Sequence, residues 1–221
     1  MNITQRTLAA CSALILLPAS GAFAQDADLG YAEPSSQMSG SDFFTQIASN
    51  LRWSANFVYA QSQEKGEWDS EPTLGGVALN LSYFVDENKE AYAGVAYLYG
   101  SGELRSGSRT YDVDINRIEV FGGFNNHIEI NEKFGAYVGA RVGVAQTTEY
   151  TKGLSGSSYN SNDMAIFGAL GGGLTYSVSE NIRVLFGIEY NTYLQSFQND
   201  YYEDNPYCTY FMGKLGVEFK F

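Results

Sequence analysis

The last seven residues, Leu215-Gly216-Val217-Glu218-Phe219-Lys220-Phe221, alternate apolar with small or charged side chains and end on an aromatic. Alternation at period two is the mark of a strand: Leu215, Val217, Phe219 and Phe221 share one face, while Lys214, Glu218 and Lys220 share the other. A water-soluble sheet seldom ends this way. A strand apolar on one face and ionic on the other suits a sheet closed on itself in lipid, with the apolar face outward and the charges in the lumen.

The same period recurs along the chain and predicts eight strands. Leu51, Trp53, Ala55, Phe57 and Tyr59 form the apolar face of the first, opposite Arg52, Ser54 and Asn56. Val77, Leu79, Leu81 and Tyr83 mark the second; Ala93, Val95, Tyr97 and Tyr99 mark the third. The fourth changes phase between Tyr111-Val113-Ile115 and Ile118-Val120-Phe124, which predicts a bulge near Asn116 and Arg117. Phe134, Ala136, Val138, Ala140, Val142 and Val144 alternate with Gly135, Tyr137, Gly139, Arg141 and Gly143 in the fifth. That second face mixes small with large, as a narrow filled lumen requires. Met164 to Tyr176, Ile182 to Tyr190 and Tyr210 to Phe221 supply the last three.

The predicted connections alternate in length. Short turns fall near Asp86 to Glu90, Asn125 to Lys133 and Ser177 to Asn181; longer polar loops fall near Gln61 to Thr73, Ser101 to Thr110, Thr147 to Asp163 and Gln195 to Pro206. Short periplasmic turns and long outer loops are the pattern of an even-stranded outer-membrane barrel. The expected fold class is therefore all-β: an eight-stranded antiparallel up-and-down transmembrane β-barrel over 51–221.

The N-terminus points to the same compartment. Arg6, the apolar run Leu8 to Leu17 and the small residues Ala22 and Ala24 read as a signal peptide over 1–24, cleaved after Ala24. Cys11 has its apolar stretch on the wrong side for a lipobox. Residues 25–50 form a polar leader, a periplasmic tail or a short helical cap beginning near Ser41. Removal of Cys11 leaves Cys208 without an intramolecular disulfide partner. Thirteen Lys and Arg against twenty-five Asp and Glu argue against nucleic acid as a partner. Seventeen Tyr and fourteen Phe fit interfacial aromatics.

Over Leu51 to Phe221 the chain resembles the small eight-stranded outer-membrane β-barrel family of Gram-negative bacteria, the OmpA-like and OmpX-like barrels. The resemblance rests on the terminal Phe221 preceded by Phe219, Val217 and Leu215, and on the glycine-rich strand Tyr137-Val138-Gly139-Ala140-Arg141. It implies that the terminal aromatic strand is read by the barrel-assembly machinery. It also implies a lipid and lipopolysaccharide environment at the cell surface. The chain is expected to stop at the barrel, in contrast to two-domain relatives that carry a peptidoglycan-binding domain.

Inward-facing charges are the nearest approach to a chemical constellation: Arg52, Glu119, Arg141, Arg183, Glu189, Lys214 and Glu218. Glu119 and Arg141 are expected as partners, as are Glu189 with Lys214 and Arg183 with Glu218, one of these last two pairs diagonally. The network reads either as a plug or as the lining of a small, porin-like diffusion pore, since eight strands leave a lumen just wide enough for side chains to fill. An Arg141→Ala change that opens a channel is the expected mark of a plug acting as a gate. A third alternative, a soluble lipocalin-like calyx, puts the apolar face inside.

Barrel enzymes place a His beside Ser or acidic partners at the outer leaflet. His127, the only His, falls in a predicted periplasmic turn, so no catalytic residue, cofactor or metal site is assigned. Any recognition of a host or cell-surface ligand falls to acidic, aromatic outer loops around Trp68, Tyr201 and Tyr202.

Overall fold

The computed structural model describes residues 49–62, 68–106, 109–152, 158–196 and 209–220. Eight strands occupy nearly all of them: β1 Leu51–Ser62, β2 Trp68–Phe84, β3 Lys89–Ser106, β4 Arg109–Glu129, β5 Phe134–Lys152, β6 Ser158–Ser179, β7 Ile182–Ser196 and β8 Thr209–Lys220. Each pairs antiparallel with the next, and β1 pairs with β8, so the sheet closes as a barrel without an edge. The expected signal segment, most of the expected leader, Cys208 and Phe221 lie outside the described residues.

Closure is staggered. Following cross-strand partners from Trp53 through Leu81, Ala93, Gly122, Val142, Gly168 and Thr192 arrives at Thr209, whereas Trp53 pairs directly with Phe219, ten residues further along β8. A stagger of this size tilts the strands by about 35–45° and keeps the lumen narrow.

The outer face follows the period-two reading. Phe57, Leu79, Leu81, Val95, Ile118, Val138, Leu170, Leu174, Phe186, Ile188 and Leu215 all project outward and are exposed. They form a belt that only an apolar surrounding stabilises, because a continuous apolar surface of this extent in water is an association liability. Aromatic rings border it: Trp53 stacks on Phe219 at 4.5 Å and Phe134 meets Tyr176 at 4.9 Å towards the turn end, and Tyr190 meets Phe211 at 5.3 Å towards the loop end. Beyond the belt at the loop end the outward face becomes polar. There Tyr97 donates to Asn116 and Thr148 donates to Asn162, each at 2.7 Å.

The structure corrects three expectations. β4 has no bulge at Asn116 and Arg117; its register with β3 and β5 is continuous through both. Val113 and Ile115 instead point inward and are fully buried, because the loop-end half of the lumen is packed with apolar side chains. Asp112 and Asp114 take the outward positions, on the loop side of Asn116, which accepts from the Tyr97 hydroxyl. Second, the turn expected over Asn125 to Lys133 shrinks to residues 130–133, since β4 continues to Glu129. Third, strands run into three of the expected long loops: β1 extends to Ser62 and β2 from Trp68, β3 and β4 to Ser106 and from Arg109, β5 and β6 to Lys152 and from Ser158; most of the fourth, near Gln195 to Pro206, lies outside the described residues. Polar composition in the described parts of these segments belongs to strands that continue above the belt.

Asx turns close two of the tight connections. Asp86 Oδ1 accepts from the backbone N–H of Asn88 and of Lys89, both at 2.8 Å, and Asn131 Oδ1 accepts from Lys133 and Phe134 at 3.0 and 2.9 Å. The Asn88 N–H, followed by the Lys89 side chain and backbone, holds the Asp86 carboxyl below the ordinary carboxylate range. A lowered carboxyl stabilises the fold above its unfolded-state pKa, and that contribution fades as pH falls through the folded value. Asp86→Ala is therefore expected to lower the unfolding midpoint at pH 7. The deficit should shrink below about pH 4, where the parent carboxyl is protonated too; an equal deficit at pH 3 and pH 7 would assign the effect to the turn geometry alone.

Candidate functional site

The inward faces of the strands fill the lumen in layers. Nearest the loop end is an apolar layer. Ala60 and Leu74 face Leu98, Val113, Ile115, Phe167 and Met212, all essentially buried. The space bounded by Ala60, Ser62, Pro72, Leu74, Leu98, Arg117 and Tyr210 has no room for a water molecule.

Below it lies a chain of five charges. Arg117 donates Nε to Glu119 Oε1 at 2.8 Å and Nη2 to the Tyr210 hydroxyl at 2.8 Å, and Nη1 reaches the Tyr193 hydroxyl. Tyr210 in turn donates to Glu119 Oε1 at 2.8 Å. Arg141 donates Nη1 to Glu119 Oε2 at 3.2 Å and Nη2 to Asn191 Oδ1 at 2.9 Å. Its Nε lies 2.8 Å from Glu189 Oε2, an ionic contact without hydrogen-bond alignment. Lys214 completes the chain by donating to Glu189 Oε1. The guanidinium carbons of Arg117 and Arg141 lie 5.9 and 5.0 Å from the Phe167 ring centroid, and that of Arg141 lies 4.5 Å from Phe121. Arg117, Glu119 and Arg141 are 1%, 0% and 4% exposed, so none of the three is a solvated charge. Burial this deep is tolerated only when the charges pair and their remaining hydrogen-bonding capacity is met.

Towards the turn end the lumen is polar. Glu218 binds two guanidinium groups: Arg52 Nη1 at 3.0 Å and Arg183 Nε at 2.8 Å. Across the mouth, Glu90 accepts from Asn125 Nδ2 at 2.8 Å and lies 2.7 Å from His127 Nε2. His127 is thus a lumen residue of β4, packed between Phe84 and Tyr137, and not a turn residue as expected. A cavity of about 40 Å³ separates this layer from the charge chain.

The expected lumen residues therefore fall into two groups. Glu119, Arg141, Glu189 and Lys214 join one chain; Arg52, Arg183 and Glu218 form a separate triad. Arg183 stands directly opposite Glu218, while Lys214 stands opposite Gly187 and reaches Glu189 diagonally. Glu119 stands opposite Ala145 and Arg141 opposite Gly123, so that pair meets diagonally and not across a rung. Sequence reasoning missed Arg117, Glu90, His127 and the tyrosines that satisfy Arg117. Unbroken parity along β4 would have found the first, because Arg117, Glu119 and Phe121 share a face.

The remaining assigned residues are placed as follows. Leu215 is exposed on the belt and Phe219 stacks on Trp53; Val217 shares their face. The backbone of Trp68 opens β2, but its side chain, like Tyr201, Tyr202, Ala22 and Ala24, lies outside the described residues.

No family model and no curated relative matches the chain. Solved structures do. Neisserial surface protein A superposes with a TM-score of 0.57 at 15% identity, over 78% of this chain and 98% of that one. Ail, the attachment invasion locus protein of Yersinia pestis, superposes with a TM-score of 0.52 at 17% identity, over 77% and 97%. The likeness is one of fold: a closed, all-antiparallel, eight-stranded barrel of the small outer-membrane type.

Proposed function

We propose that the chain is a bacterial outer-membrane protein whose barrel is a sealed scaffold, with the turn end in the periplasm and recognition, where it occurs, at the outer hairpins. The observation that carries this reading is the filled lumen, in which the Arg117–Glu119–Arg141–Glu189–Lys214 chain lies directly beneath an apolar layer with no water-sized gap. The exposed belt supports a lipid surrounding and opposes a calyx, which would hold its apolar side chains inside. Export through 1–24 and reading of the terminal strand by the barrel-assembly machinery belong to the same proposal.

Strand lengths support the place of recognition. β3 to β6 run 18–22 residues and β1 and β8 only 12, against about 9–11 needed to span a bilayer. The β3–β4 and β5–β6 hairpins thus stand above the belt on one side. A structural or surface-interaction role, towards lipopolysaccharide or a host or cell-surface ligand, fits this shape better than catalysis. The one His is at the opposite mouth, paired with Glu90 and without a hydroxyl nucleophile among its described partners.

Single-channel recording of refolded protein in a planar bilayer tests the seal, with heat-modifiable gel migration as the control for folding. Silence is expected. Arg141→Ala alone is also expected to stay silent, because the apolar layer above it remains. Stable steps from the unaltered chain would make it a small pore and overturn the scaffold reading.

A further inference from the structure

We propose that the lumen is closed twice: by the charge chain with its apolar layer, and separately by a floor centred on Phe84 that shuts the turn-end mouth and encloses a polar chamber between the two. The proposal rests on the reading of the charge chain as a seal.

Phe84 projects into the mouth from the last position of β2 and is 7% exposed. On one side its ring carries two guanidinium groups, Arg52 at 4.4 Å and Arg183 at 5.1 Å from the centroid. Like charges so placed repel, and Glu218 between them supplies the counter-charge that holds both over the ring. On the other side the His127 ring lies 5.2 Å away, itself fixed by Glu90 and backed by Tyr137 at 5.8 Å. The contacts run without interruption from β7 through β8, β1, β2, β3 and β4 to β5. One aromatic ring is thus the keystone of a layer drawn from seven strands. A ring that carries cations on its face needs no hydrogen-bond partner of its own, so it closes a polar mouth without adding an unsatisfied polar group.

The layer is distinct from the plug above it. The 40 Å³ cavity is lined by Glu90, His127 and Glu218 of the floor and by Glu189 and Lys214 of the charge chain, so it lies between the two. Its volume suits about three water molecules. Its wall is polar: Ser54 Oγ accepts from Asn56 and Asn80, both at 3.1 Å, and Asn80 Oδ1 is buried without a protein donor. A polar chamber of this size between two closed layers is a water-holding compartment. Loss of the floor admits solutes from the turn end as far as Lys214, and loss of the plug alone leaves the turn end shut.

Cysteine accessibility tests this. Ser54→Cys, in a background with Cys11 and Cys208 changed to Ser, places a thiol on the chamber wall of the refolded barrel in lipid vesicles, probed with a small charged methanethiosulfonate. The folded reporter is expected to resist the reagent, and adding Phe84→Ala is expected to speed labelling at least ten-fold while planar bilayers stay silent. Rapid labelling without Phe84→Ala overturns the floor; labelling no faster with it removes Phe84 from the seal; channel steps from Phe84→Ala alone mean one seal and not two. Conductance by the unaltered chain is a different outcome, because it sinks the plug. Phe84→Leu, which keeps apolar volume but offers the guanidinium groups no ring, carries the same expectations if Phe84→Ala does not fold.

Discussion

Glu119→Ala is expected to destabilise the barrel by about 3–5 kcal/mol, the usual cost of removing one partner from a buried ionic group and leaving the other uncompensated. Glu119 is fully buried and accepts from three donors: Arg117 Nε, Arg141 Nη1 and the Tyr210 hydroxyl. Its loss leaves Arg117 without a carboxylate partner, and Arg141 with the off-axis contact to Glu189 as its one remaining ionic contact beside the hydrogen bond to Asn191. Tyrosine hydroxyls still accept from Arg117, but they do not neutralise it. Urea unfolding in lipid vesicles, followed by tryptophan fluorescence and gel migration, measures the loss. Replacing Glu119 together with Arg117 by apolar residues of similar volume should cost less than Glu119→Ala alone, because Arg117 no longer remains as a buried charge without a carboxylate. Equal losses would place the effect in packing and remove electrostatics from the account.

The fold was legible because lipid and lumen impose opposite chemistry on alternate residues, and period two survives in a single sequence. Phe57, Leu79, Val95, Val138, Phe186 and Leu215 were read as outward from alternation and are outward. Alternation fails where both faces are apolar or both polar. Val113 and Ile115 looked outward because they are apolar, yet they pack in a dry lumen above Arg117, where the outward positions are the polar ones. That inversion at the loop end reads as a bulge in the sequence, and it hid Arg117, the most deeply buried arginine among the described residues. His127 was hidden in a similar way: its neighbours Asn125 and Asn126 suggest a turn, but Asn125 is itself a lumen side chain holding Glu90. Which charges touch was only partly legible. Long side chains reach partners that are not opposite in the register, as with Glu119 and Arg141, which meet from neighbouring strands four residues off a rung.

Gly173→Ala is expected to cost about 1–3 kcal/mol at least, the range for forcing atoms into a packed interior, and to lower the yield of folded barrel. Gly173 of β6 stands opposite Gly187 of β7, and the Tyr137 ring from β5 lies across both. A Cβ at 173 falls 2.0 Å from the Phe186 carbonyl oxygen and 2.8 Å from both the Gly187 Cα and Tyr137 Cε1. Two of those three neighbours are backbone, so relief requires β6 and β7 to part. At Gly187 the nearest atom is the Tyr137 hydroxyl, 2.2 Å away, the end of a side chain that can move. Tyr137→Phe should therefore recover part of the loss caused by Gly187→Ala and little of that caused by Gly173→Ala, a difference a double-mutant cycle reads directly. Gly122→Ala is the control, because its outward Cβ meets nothing nearer than the Tyr92 carbonyl at 3.6 Å and should change stability by no more than about 0.5 kcal/mol. Equal rescue of both variants by Tyr137→Phe would show that the Tyr137 hydroxyl, and not the closeness of β6 to β7, demands glycine there.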